Sequence, residues 1–169
     1  MTLLTLTDGR NLEFYSNGIK SDKAILFMHG TPGDATTWKS WLSEIDSVTT
    51  ISTSRPGYGL SDRQLGRSVA DDLSNQKAIL DFLGIKEFVS IGWSGGGPHS
   101  LNMTRDERCK AAFTLAGVGE FGNADLDFLE GMGQENHDEF GAALLGEREI
   151  QNWMQVNAKA YKEVTGADL

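Results

Sequence analysis

Phe88-Val89-Ser90-Ile91-Gly92-Trp93-Ser94-Gly95-Gly96-Gly97 decides how this chain is read. A short apolar β-rich run ends in a serine framed by glycines, and residues 95–105 beyond it carry a helical pattern. A serine that turns the chain sharply from strand to helix leaves no room on either side. A side chain at Gly92 or Gly96 would collide with neighbouring backbone. Such a corner lifts the Ser94 hydroxyl above the sheet and sets it at a helix N-terminus, where free amides favour developing negative charge. Nucleophilic catalysis is the natural use of that arrangement. A glycine-rich structural turn is the plain alternative for the same residues.

Outward from this corner, β and α patterns alternate. Strands are predicted at residues 2–6, 11–16, 24–28, 47–52, 88–91 and 111–116. The runs 24–28 and 47–52 lack polar alternation or are β-rich, as strands buried on both faces do. Between them Trp38, Trp41, Leu42 and Ile45 make one helical face over residues 35–45. Ser68-Val69-Ala70-Asp71 reads as a capping box opening a helix with Val69, Leu73, Leu80 and Leu83 on its apolar stripe. Asp71, Asp72, Asn75 and Lys77 form its polar face, and Gly84 stops it. Helices covering a mostly parallel sheet follow, an α/β layered fold. Beyond Gly117 the pattern changes to short helices over 123–130, 135–145 and 147–164 with no further strand, so residues 1–118 are expected as one domain and 119–169 as a helical segment.

At 169 residues the chain suits one globular domain that needs no staples, and its single cysteine, Cys109, forms no internal disulfide. Cys109 is expected as a small, at least half-buried filler. No run is long and apolar enough to span a membrane, and Met1-Thr2-Leu3-Leu4-Thr5-Leu6-Thr7-Asp8-Gly9-Arg10 lacks the basic and apolar regions of a signal peptide, so a soluble cytoplasmic protein is expected. A net charge of -9 argues against nucleic acid as a partner. The charge is uneven: residues 1–119 carry 12 basic and 13 acidic side chains, whereas 120–150 carry nine acidic ones and only Arg148, which reads as a solvated face. No metal site is suggested, since the three histidines lie far apart in sequence and no cysteine cluster accompanies them; no cofactor is implied.

Two further segments sharpen the chemistry. His29-Gly30-Thr31-Pro32-Gly33 follows the strand at 24–28, and Ser54-Arg55-Pro56-Gly57-Tyr58-Gly59-Leu60-Ser61-Asp62 follows the next. An oxyanion formed during acyl transfer needs preorganised N–H donors. The backbone amides of Thr31 and Gly95 are assigned that role. Pro32 stiffens the loop, Gly30 lets backbone approach a ligand, and Gly33 completes the turn. In this order HGTPG, SRPGYGLSD and GWSGGGPHS resemble the α/β-hydrolase superfamily, in particular its prolyl iminopeptidase-like, haloperoxidase-like and esterase-like members. The resemblance covers residues 1 to about 118 as the N-terminal part of the hydrolase core, with 119–169 similar to the start of a helical cap. It implies a serine nucleophile at Ser94, an oxyanion hole at Thr31 and Gly95, supporting roles for His29, Gly30, Pro32, Gly33, Gly92, Trp93 and Gly96, and a small ester or amide substrate.

The family order is serine, acid, histidine, with the acid and histidine after later strands than the six read here. Both are therefore expected outside this chain. His29 belongs to the loop, where it is expected to hydrogen-bond and hold it. His99 lies five residues past Ser94 and points away, and His137 reads as a solvated surface residue. Glu120 stands where some members carry their acid but has no partnering histidine. The strand at 111–116 would be an unpaired apolar edge, expected to recruit a companion chain or a second copy or else to leave the chain unstable. Trp38 and Trp93 are expected in core packing. Gly117-Val118-Gly119-Glu120-Phe121-Gly122 spells a dinucleotide fingerprint, but the acidic residues after it would repel phosphate, and Pro98-His99 stands where a P-loop needs Lys and Ser or Thr. A non-catalytic binding protein of the same fold is the remaining rival.

Overall fold

A computed structural model describes residues 1–165, with side chains through residue 160. Six strands form one sheet: β1 (Thr2–Thr5), β2 (Asn11–Ser16), β3 (Lys23–Met28), β4 (Thr49–Thr53), β5 (Glu87–Trp93) and β6 (Cys109–Leu115), in the order β1-β2-β4-β3-β5-β6. β1 and β2 pair antiparallel around the turn at Gly9, whose φ of +86° needs a residue without Cβ, and β2 runs antiparallel to β4. The four strands β4, β3, β5 and β6 are parallel, each joined to the next in sequence by a helical crossover.

β3 shows why its sequence lacks polar alternation. Ala24, Leu26 and Met28 face a core shared with Ile79 and Leu80, while Ile25 and Phe27 face a second cluster with Trp38 and Leu42. Side chains alternate across a strand, so a central strand covered on both faces must be apolar throughout. Along β5 the same geometry buries Phe88 in the first core and sets Ile91 against the second.

The helices differ from the sequence expectation in three places. Residues 35–45 split into a 3-10 turn, Ala35–Trp38, begun by the Asp34 carboxylate accepting from Thr36 N at 2.7 Å, and a short α1, Lys39–Glu44. Trp41 therefore stands mostly exposed, its ring 5.3 Å edge-on from Trp38. The Ser68 amide and hydroxyl do donate to Asp71, at 2.7 and 2.6 Å, yet the helix itself, α2, begins only at Asp72 and runs to Phe82. α2 turns Asp72, Asn75 and Gln76 inward together with Ile79 and Leu80, so part of the face expected in solvent is buried.

Past β5 come a 3-10 turn, Ser94–Gly96, and α3, Gly97–Asn102. Residues 123–130 form turns instead of a helix. The Asn123 and Asp127 side chains accept from Asp125 N at 2.9 Å and Leu129 N at 3.3 Å, and such local bonds compete with helical ones. α4 (Gln134–Leu145) and α5 (Glu147–Thr165) flank Gly146, which holds a φ of +113°.

The chain divides into a unit Met1–Val118 and a second beginning at Gly119. Within the second, Phe128 stacks edge-on with Phe121 and Phe140 at 5.3 and 4.8 Å. The last four residues of the segment 119–169 lie outside the described residues. Among the described residues β6 pairs only with β5, and its Phe113 and Leu115 are exposed. No described helix is long and apolar enough to cross a membrane.

Candidate active site

Parallel pairing puts the ends of β3 and β5 on one rim of the sheet. Met28 lies opposite Gly92, so the chain leaving β3 at His29 runs beside the chain leaving β5 at Trp93 and Ser94. Ser94 adopts a φ of +49°. That region costs a residue with a Cβ about 1–2 kcal/mol, and the surroundings must hold it there.

The glycines show how it is held. A Cβ on Gly92 would overlap the carbonyl of Gly96, and one on Gly96 would stand 2.5 Å from Met28 O and 2.6 Å from His29 O. The turn is thus packed on its own backbone and on the end of β3. Gly30 is equally confined, since a Cβ there would lie 3.0 Å from Trp93 Cε3 and 3.3 Å from Ser94 Cβ. A Cβ on Gly95 would lie 2.7 Å from Thr31 Oγ1 and 3.5 Å from Thr31 N. The two residues whose amides are candidate oxyanion donors are therefore neighbours in space, beside a partly exposed Ser94.

The loop from 29 to 33 is fastened from below. His29 is fully buried; its Nδ1 donates to Gly30 O at 2.7 Å and its Nε2 accepts the Arg55 amide at 3.1 Å. A ring nitrogen that accepts carries no proton, so the imidazole is neutral with hydrogen on Nδ1. Burial, and secondarily the Arg55 charge, pushes its pKa down to about 3. Arg55, also buried, donates through its guanidinium to His29 O, to Gly30 O at 2.9 Å and to Thr31 Oγ1 at 3.0 Å. Gly33 closes the turn against Thr37 Oγ1, and the Thr31–Pro32 peptide is cis.

Glu13 organises the neighbouring 54–61 segment. Its carboxylate accepts from Ser54 Oγ at 2.7 Å and Leu60 N at 2.9 Å, and Ser54 Oγ in turn accepts from Ala35 N at 2.8 Å. Sequence reading named the 54–62 stretch without assigning Arg55 or Glu13 a task. The available signal was a cation directly after a buried strand.

His99 is buried in α3 with Nδ1 2.8 Å from Asp72 Oδ2. His137 is exposed on α4, and Glu120 accepts from Asn123 Nδ2 at 3.1 Å within the second unit. Among the described residues no histidine is hydrogen-bonded to Ser94. Trp38 packs in the core 5.1 Å from Phe27, whereas Trp93 is 45% exposed and lies over Gly30, a correction to the expectation that both are core residues. Cys109 is half-buried and its Sγ approaches Ala111 O at 3.4 Å; burial raises its thiol pKa. No cluster of metal ligands occurs among the described residues.

Ser94 stands at a strained strand-to-helix corner beside a glycine loop on the same rim of a mostly parallel sheet. Residues 23–144 match the family described as the alpha/beta hydrolase fold, and the chain belongs to that family. It is 31% identical over 117 residues to an epoxide hydrolase of Caballeronia sordidicola, a match covering 65% of this chain and 35% of that protein. Among solved structures, an esterase from Thermogutta terrifontis is 25% identical with a TM-score of 0.59, over 70% of this chain and 47% of that one. The epoxide hydrolase CorEH shares the fold with a TM-score of 0.69 at 18% identity, over 84% of this chain and 51% of that one. The chain spans about a third of the length of the curated relatives it matches.

Proposed function

We propose that this chain carries the nucleophile and oxyanion half of a serine hydrolase acting on small carboxylic esters or amides. Ser94 Oγ attacks the substrate carbonyl carbon and gives its proton to a histidine base. The carbonyl oxygen becomes an oxyanion held by the Thr31 and Gly95 amides. Collapse expels the alcohol or amine, protonated by the same histidine, and water then releases the acid from the Ser94 ester. The histidine and its orienting acid are supplied from outside this chain: His29 and His99 are committed to other partners, and His137 is read as a solvated surface residue. Residues from Gly119 onward serve as cap.

The observation that carries this reading is the φ of +49° at Ser94 with Gly95 against Thr31. Similarity to an epoxide hydrolase raises a second substrate class, but the nucleophile argues for carbonyls. A serine hydroxyl opening an epoxide forms an ether, which water does not readily cleave, whereas attack on a carbonyl forms an ester that turns over. Labelling with a fluorophosphonate tests the proposal. A covalent adduct on Ser94, lost in Ser94→Ala, is expected. A folded protein that takes up no probe would instead be a ligand- or partner-binding member of the fold.

A further inference from the structure

Arg55 is one of the largest side chains to be fully buried, at 2% exposure. A guanidinium taken out of water must satisfy its N–H donors inside the protein, and this one does so on three consecutive residues of the 29–33 loop. Its Nη1 donates to His29 O, and its Nη2 donates to Gly30 O at 2.9 Å and to Thr31 Oγ1 at 3.0 Å. The Tyr58 ring, its centroid 5.0 Å from the guanidinium carbon, packs against the cation.

The two carbonyls belong to the peptide planes on either side of Gly30. Glycine turns freely about its backbone bonds, so a peptide beside one is easily rotated. Binding both oxygens from one rigid fork removes that freedom. The consequence falls on Thr31 N. Gly30 C=O and Thr31 N–H are opposite edges of one planar trans peptide and point opposite ways. Gly30 O is bound by Arg55 Nη2 and by His29 Nδ1 at 2.7 Å, so the Thr31 N–H points away from both, and no backbone acceptor among the described residues takes it. The His29 carbonyl also lies against the serine turn, since a Cβ on Gly96 would stand 2.6 Å from it. One carbonyl thus meets both the guanidinium and the turn that carries Ser94.

We propose that Arg55 is a positioning residue: by holding the carbonyls on both sides of Gly30 it locks the Gly30–Thr31 peptide and fixes the direction in which the Thr31 N–H is offered to the oxyanion. This rests on reading Thr31 as an oxyanion donor. Being buried, Arg55 meets no substrate; it acts through that peptide. Its charge-assisted bond to Gly30 O also polarises the peptide and strengthens the N–H as a donor.

Arg55→Lys keeps the charge and removes the fork. One-bond N–H residual dipolar couplings of the weakly aligned, 15N-labelled protein read the direction of each amide. In Arg55→Lys the Gly30 and Thr31 couplings are expected to leave their wild-type values, while those of β3 and β5 still fit a single sheet orientation. Folded Arg55→Lys with both couplings unchanged overturns the proposal. Fluorophosphonate labelling of Ser94 in the same variant is expected to slow at least tenfold, the loss falling on the maximal rate and not on the half-saturating probe concentration, since misplacement of a donor by about 1 Å costs up to about 100-fold. Undiminished labelling with a redirected Thr31 amide overturns the proposal too, because that amide then does not serve the reaction. Wild-type protein that never labels counts against the acyl-transfer reading alone, and the couplings still decide whether Arg55 holds the peptide. Should Arg55→Lys fail to fold, the wild-type guanidinium decides the matter: pinned through both η nitrogens, it is expected to show two separate 15Nη resonances, and a single averaged resonance overturns the proposal.

Discussion

His29 gives the fold a pH dependence that can be isolated. Its imidazole is neutral and buried, with a pKa near 3 in place of the ordinary 6.5. Between those values the unfolded chain binds a proton that the folded chain refuses, so stability is full above pH 6.5 and falls as the pH drops toward 3. At about 1.4 kcal/mol per pH unit, the contribution lost is about 2 kcal/mol at pH 5 and roughly 5 kcal/mol at pH 3. His29→Asn removes the titration while leaving a side-chain oxygen that can accept the Arg55 amide. Urea unfolding of both proteins at pH 7, 6 and 5 separates this group from the carboxylates, whose pH dependence the two share. Wild type should lose about 2 kcal/mol more than the variant between pH 7 and 5. Equal slopes would show that folded His29 takes up its proton as readily as the unfolded chain, which contradicts a buried imidazole whose Nε2 is held as an acceptor.

Other outcomes follow from packing. Gly96→Ala forces a Cβ to 2.5 Å from Met28 O and 2.6 Å from His29 O, both backbone atoms, and should cost about 3 kcal/mol in thermal unfolding, the upper range for overpacking. Gly141→Ala, in open space inside α4, should instead stabilise by up to about 1 kcal/mol. If β6 recruits a second copy through its exposed edge, Phe113→Lys should shift sedimentation velocity profiles toward monomer at high protein concentration; unchanged profiles would remove that reading.

The sheet and the serine corner were legible because their signals are local. An apolar run without alternation marks β3 and a β-rich run marks β4, and the glycines flanking Ser94 are demanded by backbone contacts within a few residues or with the adjoining strand. What escaped is set by partners distant in sequence. Asp72 and Asn75 sit on α2 at the spacing of a solvated face, yet His99 and Arg10 reach them from 27 and 65 residues away. Arg55 reads as part of a turn until the carbonyls of the 29–31 loop are seen around it. Trp41 is placed on an apolar face by its spacing, but that spacing assumes one helix over 35–45, and the 3-10 turn over Ala35–Trp38 breaks the period; Trp41 and Trp93 are 54% and 45% exposed. At 123–130 a helical pattern yields to Asn123 and Asp127, whose side chains take the amides a helix would use.

The most direct measurement is a crystal structure of the protein phosphonylated at Ser94. The phosphoryl oxygen that mimics the oxyanion should lie about 2.7–3.1 Å from both Thr31 N and Gly95 N. An adduct whose oxygen turns away from these amides, or a phosphonyl group attached to another residue, would contradict the account.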